Sequence, residues 1–435
     1  MADPVAPSPG RLTALQGTAL YVGVVLGTGV IALPALAAAV AGPASLLAWV
    51  GLAVLSAPLA ATFAALGARY PDAGGVATYA RLAFGDRAAA VVGWCFYLSI
   101  PVGAPAAALW LGGYAAAGLG GGSTTVAVTA VALIVVMPVV HAFGVVVTGR
   151  VQLGLGGLLV VFLLVAVGVS MPHARLDNLQ PFAPNGWLAV GSAAGLLVWC
   201  FVGWEAVTHL TAEFRRPTRD VPRATAAAVV VVGLLYLTVA FATIAVLGPA
   251  AGRTEAPLGD LMATGLGGNA RVLAAAAALP LTLGVLNAYY AGAAKLGAAL
   301  ARDGALPGWL ARGSVAGEVP RRSLGVLSVL ALAAVLLVVA LDVGPEPLVL
   351  LTTGLFVVVY AVGVAAAVRL LPRRSAARGA AKVALAVVAV LLVMYGPYLV
   401  WPLLVTGAAL LYLRIRRPSP ENVPVYQRRR PPPSP

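Results

Sequence analysis

The sequence predicts an all-α integral membrane protein with twelve transmembrane helices, and three observations support that prediction. Hydrophobic residues make up 61% of the 435 positions and charged residues only 10%, with a mean hydropathy of +0.97. Because water-soluble domains are about one quarter charged, this composition indicates a polytopic membrane protein. Apolar stretches long enough to cross a bilayer recur along the chain. The basic residues between them are distributed unevenly over the two sides.

The predicted spans are separated by short polar connections. The first ten form two sets of five, in which spans 1 and 6 correspond and both contain helix-breaking residues. Matching interruptions in two halves of a membrane protein are typical of an inverted repeat with a site at the repeat interface. The spans lie at 13–40, 44–67, 88–118, 124–143, 151–170, 187–213, 223–247, 269–300, 323–341, 346–371, 380–396 and 398–416.

This layout divides the chain into a core flanked by less regular ends. Both ends are predicted to be disordered, because they are polar and rich in proline. The regions are the N-terminus at 1–12, the core at 13–371 with repeats at about 13–170 and 187–371, two peripheral helices within 372–417, and the tail at 418–435.

The basic residues predict the orientation of the chain. If the N-terminus is cytoplasmic, all but three of the 28 Lys and Arg residues fall on the inner side, the exceptions being Arg175, Arg253 and Arg271. Such asymmetry predicts that both termini are cytoplasmic. It also explains the formal net charge of +14 without nucleic-acid binding, for which no basic face with interleaved aromatic residues is present.

The residue types of metal and catalytic sites are sparse. Cys95 and Cys200 both lie inside apolar spans, so neither a disulfide framework nor a CxxC metal site is expected. The histidines form no ligand set, and no cofactor or metal is predicted. A membrane-embedded enzyme is the alternative from another class, and the lack of a nucleophile–base pair or an HExxH motif disfavours it.

The first span contains the most informative stretch, GVVLGTGVIALP at Gly23–Pro34. Gly27-Thr28-Gly29 is a poor helix core, and Pro34 removes a further backbone donor. A helix broken at this depth is tolerated only where it lines a cavity or packs inside protein. We therefore interpret the break itself as a binding site.

Span 6, which contains WCFVGWEAVTHL, carries the one acidic residue well inside a span, Glu205. A charge at that depth is costly and indicates function. If the helix unwinds across Trp199–Gly203, Glu205 begins the next half-helix, where free N–H groups are available. Bracing of the break and proton-linked switching are both open as its role. His209, one turn later on the same face, could relay protons, although a lone intramembrane histidine is more often a packing residue.

Three further segments carry weaker signals. Asn287 in span 8 is a polar group in an apolar helix that could face a cavity, and Phe356 in span 10 is a second candidate. Between spans 2 and 3, Val76–Phe84 is interpreted either as a short amphipathic helix at the inner face or as an interfacial loop.

At these residues the chain resembles the amino acid–polyamine–organocation (APC) transporters. The matching pieces are GTGVIALP in span 1, RYPDAGGVATYARLAFG after span 2, WCFVGWEA in span 6 followed by the connector EFRRPTRDVPRA, and AKLGAALARDGALPGWLAR after span 8. Their order and spacing extend over most of the chain, which makes the match specific. Within the superfamily, the sequence looks most like bacterial exporters of methionine and branched-chain amino acids.

The resemblance implies a five-plus-five inverted-repeat fold shared with LeuT, with discontinuous helices 1 and 6 and two peripheral helices. It implies that the substrate carboxylate meets the N–H groups of Thr28, Gly29 and Val30, and that the ammonium meets carbonyls near Val25, Trp199 and Val202. Trp199 stands where the family often has an aromatic gate, and Glu205 matches the acid of the FxGxE pattern. The implied substrate-binding residues are Val25, Gly27, Thr28, Gly29, Val30, Trp199, Cys200, Val202, Gly203, Asn287 and Phe356.

The resemblance also implies a secondary transporter of neutral apolar L-amino acids in the bacterial plasma membrane, in contact with lipid. Export by proton antiport is the expectation, and an uptake permease or exchanger is the alternative. Cationic substrates are disfavoured because no acidic residue is spare near the site. Span 5 lacks the lysine of some proton-coupled members, and span 8 offers only Thr282 as a sodium ligand. The oligomeric state is not predicted.

Overall fold

A computed structural model of the chain describes residues 12–70, 75–143, 149–205, 214–313 and 318–415. Within these ranges the chain is helical and forms no β-strand, apart from an isolated bridge between Leu12 and Phe214. The α-helices are α1 Ala14–Leu26, α2 Leu33–Ala41, α3 Ser45–Arg69, α4 Gly75–Phe84, α5 Asp86–Leu119, α6 Gly122–Ala142, α7 Gly149–Ser170, α8 Leu188–Leu197, α9 Pro217–Leu247, α10 Pro257–Leu266, α11 Ala270–Arg302, α12 Arg321–Ala340, α13 Glu346–Leu370, α14 Ala376–Met394 and α15 Val400–Ile415.

Ten helical segments of the described chain are long and apolar enough to cross a membrane. One of them, Leu33–Arg69, joins α2 to α3 through a short 3-10 turn. Two shorter apolar helices, Ala14–Leu26 and Leu188–Phe201, fall in predicted spans 1 and 6. The predicted interruptions of these spans are therefore present, and they shorten the helices below spanning length. This multi-pass, all-helical architecture confirms the predicted class of membrane protein.

The ends of α1 follow from local chemistry. Thr13 begins the helix with a capping box, in which its hydroxyl accepts from the Gln16 N–H at 3.3 Å and Gln16 Oε1 accepts from the Thr13 N–H at 3.1 Å. Gly27 ends the helix with φ +45°, a conformation that side chains other than glycine rarely adopt. The sequence thus sets where the first break begins.

Two short helices lie outside the apolar spans. α4 covers the segment for which a helix and a loop were both considered, so the helical interpretation is confirmed. α10, which the sequence pattern did not predict, follows a 3-10 segment after α9. Its Asp260 accepts a hydrogen bond from the Arg271 side chain of α11 at 2.7 Å, which fixes the two helices to each other.

The two breaks lie inside the helical assembly. α9 packs against α1 and α3, while the long helix α5 packs against α6, α11 and α13. Small buried residues of α5, among them Ala104 and Ala108, let these neighbours approach closely. The break between α1 and α2 contacts the segment that follows α8, so both interruptions meet in the interior.

Candidate functional site

The first break contains backbone donors without partners. After α1, Thr28 precedes one 3-10 turn at Gly29–Ile31, and α2 then begins with Pro34 in its first turn. The N–H groups of Thr28, Gly29 and Val30 donate no hydrogen bond to any described residue; the first bonds run from Ile31 to the Thr28 carbonyl and from Ala32 to the Gly29 carbonyl. Unpaired buried N–H groups are rare, so these donors are expected to bind a hydrogen-bond acceptor.

The Thr28 side chain adds to this donor cluster. It is buried, and its hydroxyl has no partner among the described residues. Backbone N–H groups that converge at a helix N-terminus form a site for an anion, which the helix dipole also favours. Chemically, the first break is therefore able to bind a carboxylate.

The second break is closed by Glu205. α8 passes into a 3-10 turn at Val198–Phe201, after which Gly203 adopts φ +122°. Glu205 Oε2 accepts a hydrogen bond from the Gly203 N–H at 3.0 Å and another from the Tyr360 hydroxyl of α13 at 2.6 Å. These contacts hold the unwound backbone against α13, as the bracing interpretation requires. His209 lies outside the described residues.

Tyr236 of α9 connects the two breaks. Its hydroxyl lies 2.7 Å from the Val25 carbonyl oxygen and 2.7 Å from the Cys200 carbonyl oxygen. A hydroxyl has one proton to donate, so the two carbonyls share or alternate this bond. The sequence offered no signal for Tyr236 beyond a polar atom in an apolar span, because its partners come from distant helices.

We expect Tyr236→Phe to slow transport by about fivefold, since it removes a hydrogen bond with a net value of about 1 kcal/mol. The measurement is the initial rate of amino acid exchange in proteoliposomes. Thr238→Val is the matched control, because the Thr238 hydroxyl donates only to the Leu234 carbonyl of its own helix. Equal rates for both variants would show that Tyr236 does not position the breaks.

Trp199 fills the space beside the first break. A Cβ atom built on Gly29 would lie 2.6 Å from Trp199 Cδ1 and 2.9 Å from Cys200 Sγ. At the other end of the indole, a Cβ atom on Gly103 of α5 would lie 3.1 Å from Trp199 Cη2. The ring also packs edge-on against Trp110, with centroids 5.2 Å apart. The indole thus lies between two glycines that leave it room.

The remaining candidates divide into two groups. Val30 is fully buried in the 3-10 turn of the first break, and Val202 donates to the Trp199 carbonyl at 3.3 Å. Gly203 lies against Val25, so the structure brings the backbone candidates of both breaks together. The side-chain candidates, Asn287 of α11 and Phe356 of α13, form the second group.

Asn287 is buried on α11, and its backbone is hydrogen-bonded to His141. Phe356 of α13 packs edge-on against Phe96 of α5, with ring centroids 5.5 Å apart. The α13 residue that approaches the Trp199 indole end is Thr352, one turn earlier, whose side chain lies beside Gly103. Thr352 was noticeable in the sequence only as a polar residue in an apolar span.

A small cavity of about 20 Å³ lies beside the first break, with room for roughly one water molecule. Thr28 and Thr282 both line it, and the Thr282 hydroxyl is buried without a partner among the described residues. α7 lines the cavity with the apolar residues Leu155, Gly156 and Leu159. Across the described ranges, no group of three or more His, Cys, Asp or Glu residues is arranged to hold a metal ion.

Comparison with known proteins identifies the family. The profile of the amino acid permease family matches residues 12–429. The chain is 32% identical over 408 residues to the uncharacterized amino acid permease YecA of Bacillus subtilis, covering 93% of this chain and 96% of that protein. It is 27% identical to the branched-chain amino acid permease BcaP of the same organism, over 69% of each chain.

An exporter is also among the relatives. The L-methionine/branched-chain amino acid exporter YjeH of Escherichia coli is 40% identical over 223 residues, which is 51% of this chain and 53% of the exporter. These relatives are named as permeases or exporters, which points away from an enzyme. The profile match, the long alignment with YecA and the many apolar helices agree, and the chain therefore belongs to the amino acid permease family of the APC superfamily.

Proposed function

We propose that this protein is a secondary active transporter of neutral apolar L-amino acids, namely methionine, leucine, isoleucine and valine, and that it exports them by proton antiport. The observation that carries the proposal is the set of unpaired N–H groups at Thr28, Gly29 and Val30, with the Thr28 hydroxyl, in a broken membrane helix. The name of the exporter YjeH supports the substrate class and the direction.

The amino acid backbone would bind between the two breaks. Its carboxylate would accept from the N–H groups of Thr28, Gly29 and Val30, at the positive end of α2. Its ammonium would donate to carbonyls near Val25, Trp199 and Val202. Since the Val25 carbonyl now contacts the Tyr236 hydroxyl, substrate binding would displace that hydroxyl toward Cys200.

Two features favour neutral side chains. Glu205, the acid at the second break, already accepts from Gly203 and Tyr360, so it is not available to pair with a cationic substrate. The Trp199 indole occupies the space beside Gly29, and its rotation would admit an apolar side chain against Trp110 and Gly103. We assign Trp199 as the gate of the site.

The proposed architecture follows the sequence prediction. It comprises twelve spans, an inverted repeat at about 13–170 and 187–371, and peripheral helices within 372–417. Both termini lie in the cytoplasm, and the membrane is the bacterial plasma membrane. Spans 1, 2, 6 and 7 would rock against the remaining helices to expose the site alternately to either side.

An uptake permease or exchanger with the same site is the second candidate, and the name of BcaP as a branched-chain permease favours it. The site is the same for either direction, because gradients and coupling set the net flux. Expression of the protein in cells, followed by measurement of methionine and leucine inside and outside, separates the two. Export lowers the internal pools, whereas uptake raises them.

A thermal-shift screen of the twenty L-amino acids at pH 5.5 and 7.5 tests the substrate class. We expect methionine and the branched-chain amino acids to raise the melting temperature of the purified protein, because a ligand at 100 times its Kd stabilises the folded state by about 2.7 kcal/mol. The D-enantiomers are the control. Stabilisation by arginine or lysine, and none by methionine or leucine, would contradict the proposal.

A further inference from the structure

A buried histidine lies apart from the two breaks. His141 is the residue before the last of α6, and only 5% of it is exposed. One ring nitrogen is hydrogen-bonded to the backbone of Asn287 on α11. The other, Nε2, is buried and has no partner in the part of the chain that the structure describes.

A second unpaired polar atom lies on the neighbouring ring. Tyr290 of α11 is fully buried, and its ring centroid is 6.4 Å from that of His141. Its hydroxyl also has no partner among the described residues. Each unpaired buried polar group costs about 1–3 kcal/mol, so packing alone gives no reason for the pair.

We propose that His141 is a proton-binding site that couples transport to the pH gradient, with the Tyr290 hydroxyl oxygen accepting from Nε2–H of the protonated ring. The proton adds to the Nε2 lone pair and leaves from the same atom, and no other bond is made or broken. The inference rests on the proposed function, because it names the site of the coupled ion. In the proposed topology, His141 lies at the cytoplasmic end of α6.

α11 connects this histidine to the first break. Asn287 and Tyr290 follow the stretch from Leu281 to Val285, which lines the small cavity beside Gly27 and Thr28. A change of charge at His141 therefore acts on the helix that forms one wall of the carboxylate site. This route from His141 to the first break does not involve Glu205, because Glu205 Oε2 accepts hydrogen bonds from Gly203 and Tyr360.

The surrounding helices bring few ionisable groups to this site. From α11 the group is Tyr290. From α12, Arg321 Nε donates to the Ala142 carbonyl at 3.3 Å, so a guanidinium lies at the same helix end. On α5, the Tyr97 hydroxyl donates to the Ser323 carbonyl. None of the ion pairs among the described residues joins a carboxylate to His141, so a bound proton is not held by a counter-charge.

The test is methionine transport in proteoliposomes by wild type, His141→Gln and His173→Gln. A gradient of one pH unit supports about tenfold accumulation when one proton is coupled to each substrate. We expect His141→Gln to lose this accumulation and to retain methionine–methionine exchange. His173 is exposed in the 3-10 turn that follows α7, so His173→Gln should behave as the wild type does. Accumulation retained in His141→Gln would overturn the inference.

A direct titration tests the inference independently of the proposed function. In protein labelled with ¹⁵N-histidine, the signal missing from His141→Gln should titrate over the pH range in which accumulation occurs. A packing histidine would not titrate in that range, and that result would overturn the inference.

If His141→Gln does not fold, Tyr290→Phe should shift the pH midpoint of accumulation and leave exchange intact; an unchanged midpoint would count against the site. Wild-type protein without methionine exchange would overturn the proposed function, while the titration would still decide the proton site.

Discussion

Replacing Gly29 by alanine is expected to reduce transport by roughly tenfold to a hundredfold while the protein still folds. The added Cβ atom would lie 2.6 Å from Trp199 Cδ1, 2.9 Å from Cys200 Sγ and 3.1 Å from Leu33 Cδ1. Overpacking of this kind costs about 1–3 kcal/mol. The strain arises at the contact between the two breaks, where we place the substrate. We therefore expect the substitution to raise the free-energy barrier to transport more than it lowers the free energy of unfolding.

Gly51→Ala is the matched control for this experiment. Gly51 lies in the second turn of α3, and a Cβ atom there would meet nothing within 4 Å. The measurement is the initial rate of methionine exchange, normalised to folded protein by size-exclusion chromatography. If Gly29→Ala exchanges methionine as fast as Gly51→Ala, the first break is not the substrate site and the proposed function loses its main support.

Replacing Glu205 by alanine is expected to lower both stability and transport. The change removes the carboxylate oxygen that the Gly203 N–H and the Tyr360 hydroxyl now share. It leaves them only the longer bonds from the Gly203 N–H to the Tyr360 hydroxyl at 3.2 Å and from that hydroxyl to the Phe201 carbonyl at 3.4 Å. A hydrogen bond to a charged group contributes about 1.5–3 kcal/mol to stability. We expect a lower melting temperature in detergent and loss of methionine exchange, because the unwound segment after α8 is no longer held against α13.

Glu205→Gln separates bracing from proton switching. Glutamine keeps an oxygen that accepts from both donors but cannot take part in protonation, so we expect exchange and gradient-driven accumulation to persist at a reduced rate. Glu318→Gln, at an exposed position, is the control. Loss of accumulation with intact exchange in Glu205→Gln would assign the coupled proton to Glu205 and contradict its assignment to His141.

Local features of the fold could be predicted from the sequence because their causes are local. Composition determined that the chain is helical and embedded in a membrane, since lipid leaves backbone groups no other partner than the helix itself. Gly27 and Gly203 determined where the helices are interrupted, because only glycine readily adopts their positive φ angles. The proximity of Glu205 to the second break also followed from spacing alone.

The contacts that organise the site could not be predicted in this way. In the sequence there is only a single polar residue in an apolar span at each of Tyr236, Tyr360 and Thr352. Such a residue usually forms a hydrogen bond within its own helix. In the structure the two tyrosines join residues that are 36 to 211 positions apart. Such pairs depend on how neighbouring helices are rotated and shifted against each other, which composition does not specify.

The position of Trp199 shows the same division. The sequence by itself determined that a tryptophan stands at the second break, and the family resemblance suggested a gate. Only the tertiary structure decided that its indole lies between Gly29 and Gly103, and that His141 and Tyr290 meet with unpaired polar atoms. The physical reason is that backbone breaks are set by a few adjacent residues, whereas a side chain's neighbours are set by the packing of several helices.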